Sequence, residues 1–350
     1  MDADIKRILL IQFRPVGDVL LCTPLITILR RRFPQAHIAF MVEPLPGQML
    51  EHNPGLDEIL YYRHRKDDIM GSFRFFREAG KQKWDLTIDM FGTPGTAWAT
   101  LFSRAKIKIG YSLRGRKYAY NYRVNNAIEE RYSALKKLAL LKVIGIEEET
   151  HRLTLNLTDE ERDFAAAFFR DNNIGEDGFT VCFAPGAKRQ AKGWIAERWA
   201  QLGDLLDEKF NAQVILLWGP GEAGVVSDIV EGMTAEPYVI PGTTLREMAA
   251  IIERAKLCVS NCSGTKHIAT AVGIPTITVY GPTSPVTWTY PDPERHRFVR
   301  SSVSCIECNV KYCSHRSCMY EVYAEDIVRE MHEIPEVRIL LNGNSHAPRH

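Results

Sequence analysis

The stretch from Lys256 to Pro285 constrains the fold more than any other part of the chain. Leu257 to Ser260 is a short apolar run typical of a buried strand, and Ile268 to Val272 continues at helical spacing towards a stop at Gly273. Ile274 to Tyr280 then gives a second apolar strand. A strand, a helix and a strand in this order predict a parallel pair with a right-handed crossover.

The turn between this first strand and the helix is suited to an anion. Asn261 to Thr265 are small or polar residues that bring backbone N–H groups to the start of a helix, where the macrodipole is positive. In a parallel sheet this turn lies at the carboxyl ends of the strands, where α/β proteins bind ligands. An ordinary connection without a ligand stays an open alternative, because a short glycine-containing turn is a weak motif.

The same alternation of strand and helix runs through the whole chain and predicts the α/β class. The chain has 350 residues, of which 45% are hydrophobic and 25% charged, so two soluble domains of ordinary size are expected. Helical stretches separate the predicted strands, which are Arg7–Phe13, His37–Val42, Leu56–Tyr61, Leu86–Met90, Ile107–Ile109, Phe179–Phe183, Gln213–Trp218 and Tyr238–Ile240. We therefore expect two doubly wound parallel sheets.

Charge and hydropathy exclude some classes of protein. A formal net charge of +1 argues against nucleic acid as a partner. No apolar run reaches the length of a membrane span, and the beginning of the chain lacks the layout of a signal peptide. A cytoplasmic location is therefore expected.

Asp18 is the candidate acid of the first half. It follows the strand Arg7–Phe13 and stands near the start of a helix that we expect to run from Val19 to Arg32. Two roles remain open for it, a helix cap and a general base.

Two basic and aromatic patches also follow predicted strands in this half. They are YYRHRK, with Arg63, Arg65 and Lys66, and YSLRGRKYAYNYR, with Arg114, Arg116 and Lys117. Arginine and lysine mixed with tyrosine suit an anionic, hydroxyl-rich partner such as a phosphorylated sugar. The alternative for each patch is a solvated loop.

In the second half, cations and an acid also follow predicted strands. Lys188 and Lys192 lie on a loop that leads from a strand into a helix, which suits a diphosphate, although a solvated basic loop is the alternative. Glu222 follows the strand Gln213–Trp218, where an acid either accepts ribose hydroxyl hydrogen bonds or stabilises a helix N-terminus.

Four cysteines crowd into one later loop. Cys305, Cys308, Cys313 and Cys318 have the spacing C-x2-C-x4-C-x4-C. Four thiolates within this reach suit a tetrahedral zinc site, but the second C-x2-C of a zinc ribbon is missing. We expect no metal here and keep zinc as the alternative.

Four motifs in register resemble glycosyltransferase family 9, the ADP-heptose:lipopolysaccharide heptosyltransferases. They are RPVGDVLLCTP, PGAKRQAKGW, LLWGPGE and SNCSGTKHIATAVGIPTITVYGPTSP, and the first two look most like the heptosyltransferase III branch. The resemblance implies a GT-B fold, with two Rossmann-like domains facing across a cleft. It places the acceptor on residues 1–160 and the nucleotide-sugar on residues 174–323, and makes 324–341 a closing helix on the first domain.

The resemblance also assigns roles by position. It makes Asp18 the catalytic base, Lys192 the diphosphate lysine and Glu222 the ribose-side acid. The pyrophosphate-binding turn would consist of Cys262, Ser263, Gly264, Thr265 and His267. Family members usually carry Asp where this chain has Cys262, and a thiol is no substitute for a carboxylate as a hydrogen-bond acceptor. Members often carry a comparable cysteine-rich loop, which favours a loop without metal.

The implied reaction is an inverting transfer of heptose from ADP-heptose to the inner core of lipopolysaccharide. No DxD motif is present, so no metal or further cofactor is expected. An anionic, lipid-linked acceptor would bring the protein to the inner face of the cytoplasmic membrane as a peripheral protein. The alternatives are another nucleotide-sugar, a protein acceptor, or a degenerate GT-B scaffold that binds a sugar nucleotide without turnover.

Overall fold

A computed structural model describes residues 5–63, 68–125, 131–148 and 150–344. The chain divides into two compact units, Met1–Asn156 and Leu157–His350. In the described residues each unit contains one six-stranded sheet, and the neighbouring strands in both sheets pair in parallel. The α/β class and the two doubly wound sheets predicted from the sequence are confirmed.

The strands of the first unit are β1 (Arg7–Ile11), β2 (His37–Val42), β3 (Glu58–Tyr61), β4 (Leu86–Asp89), β5 (Ile107–Tyr111) and β6 (Tyr122–Val124). They pair in the order β3-β2-β1-β4-β5-β6, so β1 is central. Its apolar side chains are fully buried, because helices cover both faces of a parallel sheet.

The helices of the first unit are α1 (Val16–Leu20), α2 (Thr23–Arg32), α3 (Pro44–Gly47), α4 (Ile69–Gly80), α5 (Pro94–Phe102) and α6 (Ser133–Leu138). The helix expected from Val19 to Arg32 is divided between α1 and α2. Pro24 lies in the first turn of α2 and has no N–H to continue a preceding helix, which explains the break.

The strands of the second unit are β7 (Thr180–Ala184), β8 (Gln213–Leu216), β9 (Tyr238–Val239), β10 (Leu257–Asn261), β11 (Thr276–Tyr280) and β12 (His296–Arg300). They pair in the order β12-β11-β10-β7-β8-β9. β10 and β11 form the parallel pair predicted for the stretch Lys256–Pro285, with Val259 opposite Ile277. Both side chains are fully buried in the core of this unit.

The helices of the second unit are α7 (Asp159–Asp171), α8 (Ala196–Phe210), α9 (Ala223–Gly232), α10 (Leu245–Arg254), α11 (Gly264–Ala271), α12 (Pro285–Trp288), α13 (Ser317–Tyr320), α14 (Ala324–His332) and α15 (Pro335–Asn344). None of the described helices combines the length and the apolarity needed to cross a bilayer.

The C-terminal segment forms two helices, where the sequence predicted one over 324–341. Pro335 begins α15, since proline fits a first helical turn but interrupts a continuous helix. Ile327 and Met331 of α14 and Leu341 of α15 are buried in the core of the second unit. Packing of this segment on the first unit stays a prediction, as do the domain boundaries at 160 and 174.

His296 on β12 gives the second unit a pH-dependent stability. Burial, with smaller contributions from Arg295 and Lys266, lowers the pKa of His296 from 6.5 to about 3. Its Nδ1 lies 3.0 Å from Oγ1 of Thr276, within the buried end of the sheet. The folded protein therefore keeps this imidazole neutral, whereas the unfolded chain takes up a proton below pH 6.5.

We expect the free energy of unfolding to fall as the pH falls from 6.5 towards about 3. The contribution of His296 is about 1.4 kcal/mol per pH unit. His296→Gln should remove that part of the slope, which urea unfolding at about pH 7 and about pH 5 would measure. Equal slopes in the wild type and the variant would contradict the assignment.

Candidate functional site

The carboxyl edge of the second sheet carries the turn that the sequence singled out. β10 ends at Asn261, and α11 begins at Gly264 after Cys262 and Ser263. The Ser263 hydroxyl is buried and has no hydrogen-bond partner in the part of the chain that the structure describes. A buried hydroxyl without a partner at the start of an eight-residue helix is suited to a ligand that supplies hydrogen-bond acceptors.

Asn261 fixes the lysine-bearing loop to this turn. Its side chain is fully buried. It accepts a hydrogen bond from the backbone N–H of Trp194 at 3.0 Å and donates one to the Pro185 carbonyl at 2.6 Å. Lys192 lies on that loop, with its Nζ 3.4 Å from the Cys262 carbonyl oxygen and 3.7 Å from its Sγ. Lys192 and the predicted turn therefore meet, whereas Lys188 is exposed.

Glu222 lies at the carboxyl end of β8 and does not use its side chain to cap α9. Its Oε2 accepts a hydrogen bond from the Gly219 N–H at 2.9 Å. The carboxylate also packs against Gly186 in the loop after β7, where an added Cβ would lie 2.2 Å from Oε1. Gly186 therefore permits the approach of Glu222 to the Lys192 loop.

Two buried basic residues follow the turn on α11. Burial, together with the Lys192 charge, lowers the pKa of Lys266 to about 8, and its ammonium donates to the Trp288 carbonyl. Burial, with the Lys266 charge as a second cause, lowers the pKa of His267 well below 6.5. At neutral pH the site thus holds a charged lysine beside a neutral imidazole. The sequence analysis named His267 but missed Lys266, although the two are adjacent.

Thr283 and Ser284 extend the same edge beyond what the sequence indicated. They follow β11, and their hydroxyls are buried without a partner among the described residues. β11 is the neighbour of β10, so these hydroxyls and that of Ser263 belong to adjacent strand ends. Leaving buried hydroxyls unbonded costs free energy, which a ligand rich in acceptor oxygens would recover. In the sequence they were marked only by this position after an apolar strand and by their place at the end of the fourth motif.

The first unit has its own polar centre at the end of β1. Asp18 lies in the first turn of α1 and not at its N-cap, which is Pro15. Its Oδ1 is 3.7 Å from Nζ of Lys137 on α6, and its side chain is 22% exposed. The Lys137 ammonium is buried and donates to Oε1 of Gln12 at 2.9 Å. Asp18 is thus an accessible acid with a buried cation beside it.

The pKa of Lys137 is raised, so this lysine is charged at neutral pH. Burial lowers the pKa, but Cys22, Asp18 and Tyr111 raise it more. Burial raises the pKa values of the Cys22 thiol and the Tyr111 hydroxyl to about 12 each, so both are neutral at pH 7. Asp18 is therefore the anion that stabilises the buried ammonium near neutral pH. The sequence analysis missed Lys137 because α6 is far from Asp18 along the chain.

The basic patches lie on either side of Asp18 along the sheet. Arg63 follows β3 and is exposed, while Arg114, Lys117 and the half-buried Arg116 follow β5. β3 and β5 are each two strands from β1, so neither patch adjoins the other. Arg65 and Lys66 lie outside the described residues.

The loop that carries Arg114, Arg116 and Lys117 is anchored by a buried carboxylate. Asp89, at the end of β4, accepts hydrogen bonds from the Tyr120 hydroxyl at 2.6 Å and from the Gly92 N–H at 2.9 Å. Burial raises the pKa of Asp89 despite these bonds. Tyr120 is itself buried, so the loop has a fixed end.

The cysteine-rich loop packs against the lysine loop of the second unit. Cys305 and Cys308 are exposed, Cys313 is partly buried and Cys318 is buried. Among the described residues no group of three or more His, Cys, Asp or Glu side chains is arranged to hold a metal ion, and this includes the four cysteines. The Ala191 N–H donates to the Lys311 carbonyl at 3.2 Å, and Gln190 Oε1 accepts from the Cys313 N–H at 3.2 Å.

The fold and these sites define a two-unit α/β protein with buried lysine and hydroxyl groups at the sheet edge of its second unit and an accessible acid in its first. The model of glycosyltransferase family 9 (heptosyltransferase) matches residues 72–319. The chain belongs to this family, as its motifs suggested, and its fold is of the GT-B class.

Curated relatives carry heptosyltransferase names. Lipopolysaccharide core heptosyltransferase OpsX from Haemophilus influenzae is 24% identical over 80% of each chain. Lipopolysaccharide heptosyltransferase 3 from Escherichia coli is 24% identical over 78% of this chain and 81% of its own, and heptosyltransferase 1 is 26% identical over 80% and 89%. These identities do not separate the heptosyltransferase III branch from the others.

Solved structures share the fold over nearly the whole chain. A family 9 glycosyltransferase from Veillonella parvula matches with a TM-score of 0.83 at 24% identity, covering 98% of this chain and 99% of its own. The Escherichia coli heptosyltransferase WaaC with ADP-2-deoxy-2-fluoro heptose matches with a TM-score of 0.71 at 21% identity, covering 93% and 99%.

Proposed function

We propose that this protein transfers heptose from ADP-heptose to a sugar of the lipopolysaccharide inner core, with inversion at the anomeric carbon. The observation that carries the proposal is an accessible acid, Asp18, paired with a buried cation in a chain of the heptosyltransferase family. The curated relatives are named lipopolysaccharide heptosyltransferases, and one structural neighbour was solved with ADP-2-deoxy-2-fluoro heptose.

The second unit would bind the donor. Lys192 and Lys266 supply positive charge near the turn of Ser263, where a diphosphate finds N–H groups and hydroxyls in need of acceptors. Gly264, Thr265 and the neutral His267 complete the turn, and Glu222 is placed to accept ribose hydroxyl hydrogen bonds.

The first unit would activate the acceptor. The acceptor oxygen attacks the anomeric carbon from the face opposite ADP, its proton passes to Asp18, and the bond between that carbon and the ADP oxygen breaks. Lys192 and Lys266 stabilise the negative charge that leaves with ADP. Arg63, Arg114, Arg116 and Lys117 flank Asp18 and suit a phosphorylated, lipid-linked acceptor. We place the reaction at the inner face of the cytoplasmic membrane, where the acceptor holds the protein.

A scaffold that binds the nucleotide-sugar without turnover is the second candidate, because Cys262 replaces the family's usual Asp. Release of ADP from ADP-heptose, measured with and without truncated lipopolysaccharide cores, separates the two. We expect release that requires a core and incorporation of heptose into it. ADP-heptose binding without acceptor-dependent release would favour the scaffold, and turnover with another nucleotide-sugar alone would reassign the donor.

Lys192→Ala should weaken ADP binding and slow transfer together. The cation beside the diphosphate acts in both the ground state and the transition state, so both effects should be at least about tenfold. Calorimetric titration with ADP measures the first effect. Lys209→Ala is the control, because Lys209 is exposed in the last turn of α8, away from this loop, and should leave ADP affinity unchanged. Wild-type affinity in Lys192→Ala would contradict the donor assignment.

Lys137→Met should make activity more sensitive to acid. Without the buried ammonium, protonation of Asp18 becomes easier, so the acid limb of kcat/KM should move to higher pH. We expect a loss of roughly tenfold one pH unit below the shifted limb, and this loss should shrink as the pH rises above it. Lys136→Met, one position away on α6, is the matched control. A uniform loss at every pH would indicate only a structural role for Lys137.

Asp18→Asn should lower turnover by roughly a hundredfold or more, since the amide takes up no proton. ADP affinity should stay near the wild-type value, and the acid limb of the pH profile should disappear. The variant leaves the buried Lys137 without its carboxylate, which lowers stability. Asp18→Asn/Lys137→Met removes both charges, so it should regain stability but not turnover. Near wild-type turnover in Asp18→Asn would show that the base lies elsewhere.

A further inference from the structure

Exposed apolar side chains of the first unit concentrate on one surface. Of its described residues, seven large hydrophobics are exposed, and five of them lie on α4, α5 and the loop after β5. We call these five the α4–α5 surface. Its members, with their exposed fractions, are Ile69 (66%), Met70 (75%), Trp98 (48%), Leu101 (40%) and Tyr118 (78%). A concentration of this kind marks an interaction site, whereas singly scattered apolar residues do not.

Aromatic packing beneath the surface makes it contiguous and holds it in place. Phe73 on α4 contacts Trp98 and Phe102 on α5, with ring centroids 5.4 and 5.6 Å apart and edge-to-face geometry. Ile69 and Met70 precede Phe73 by four and three positions on α4, so they lie one helical turn before it on the same face of the helix. The exposed ring of Trp98 is therefore held in place by the packing of α4 against α5.

Positive charge lies beside this apolar surface, on the side of the loop after β5. The segment 94–124 contains seven Arg or Lys residues and no Asp or Glu, although the whole chain carries a net charge of only +1. Arg114 and Arg116 line a cavity of about 310 Å³ together with Trp98, Leu101 and Tyr118. Lys117 Nζ lies 5.5 Å from the Tyr118 ring centroid. Apolar, aromatic and cationic groups thus share one face.

We propose that the α4–α5 surface contacts an anionic phospholipid bilayer directly. Tryptophan and tyrosine favour the headgroup level of a membrane, aliphatic side chains reach the acyl boundary, and Arg and Lys attract lipid phosphates. The absence of acids between residues 94 and 124 supplies the charge complementarity. The inference deepens the proposed function, since a lipid-linked acceptor is presented at such a bilayer. The contact itself needs neither donor nor acceptor.

Vesicle co-sedimentation of the full chain tests this proposal. We expect binding to phosphatidylcholine vesicles that contain phosphatidylglycerol, weak binding to phosphatidylcholine alone, and release as salt screens the phosphates. Ile69→Ser/Met70→Ser should lower the partition coefficient at least about tenfold. Both side chains are exposed, and a thermal melt verifies the fold. Tyr312→Ser is the matched control, because Tyr312 is 80% exposed in the second unit.

The outcomes separate this contact from the proposed reaction. No binding of the wild type to anionic vesicles at low salt, or equal binding of Ile69→Ser/Met70→Ser, would overturn the proposal and leave the transferase assignment intact. A deacylated, water-soluble acceptor provides the second measurement. If the surface contacts lipid, Ile69→Ser/Met70→Ser keeps its KM for that acceptor, because both residues lie on α4 and outside the basic patch that follows β5. A raised KM together with unchanged vesicle binding would instead make this surface an acceptor-sugar site.

Discussion

The carboxyl edge of the second unit's sheet depends on the buried side chain of Asn261. This one amide satisfies the Trp194 N–H and the Pro185 carbonyl, two groups of the segment that follows β7, while its own backbone ends β10. Because both partners are buried, losing the amide would leave a donor and an acceptor unpaired. The position of Lys192 beside the Cys262 carbonyl follows from this bridge. An apolar residue at position 261 would preserve the strand but not the site.

Both units place costly polar groups at the carboxyl ends of their strands. Lys137 and Asp89 are buried in the first unit, and Lys266 and His267 in the second. Burial of a charge is expensive, and the lowered pKa of Lys266 and the raised pKa of Asp89 show that their neighbours offset it only in part. Their common location argues that the edges are kept polar for ligands. The interior strands, by contrast, are almost wholly apolar.

The sequence predicted most strands because each is a compact apolar run between turn residues. It missed β6 and β12, each of which lies at an edge of its sheet. Charged or tyrosine side chains interrupt the apolar residues of both strands, so neither forms a compact apolar run. It also joined α1 to α2 and α14 to α15, where a proline in the first turn separates two helices of matching periodicity. For the site, the family resemblance of the motifs predicted roles for Asp18, Lys192 and the Ser263 turn, which stay predictions. Lys137 could not be found in this way, because pairing it with Asp18 requires knowing that α6 returns to the end of β1.

The position of Cys262 beside Lys192 indicates what a cysteine in place of aspartate changes at this turn. The lysine ammonium is nearer to the Cys262 carbonyl oxygen than to the sulfur, so the backbone supplies the contact whatever the side chain. An aspartate at this position would place a carboxylate beside Lys192, and a diphosphate would then have to compete with that ion pair. No carboxylate of the described residues forms an ion pair with Lys192, because the thiol takes that place. The substitution therefore removes an acceptor from the turn and at the same time leaves more of the lysine's charge for an anionic ligand.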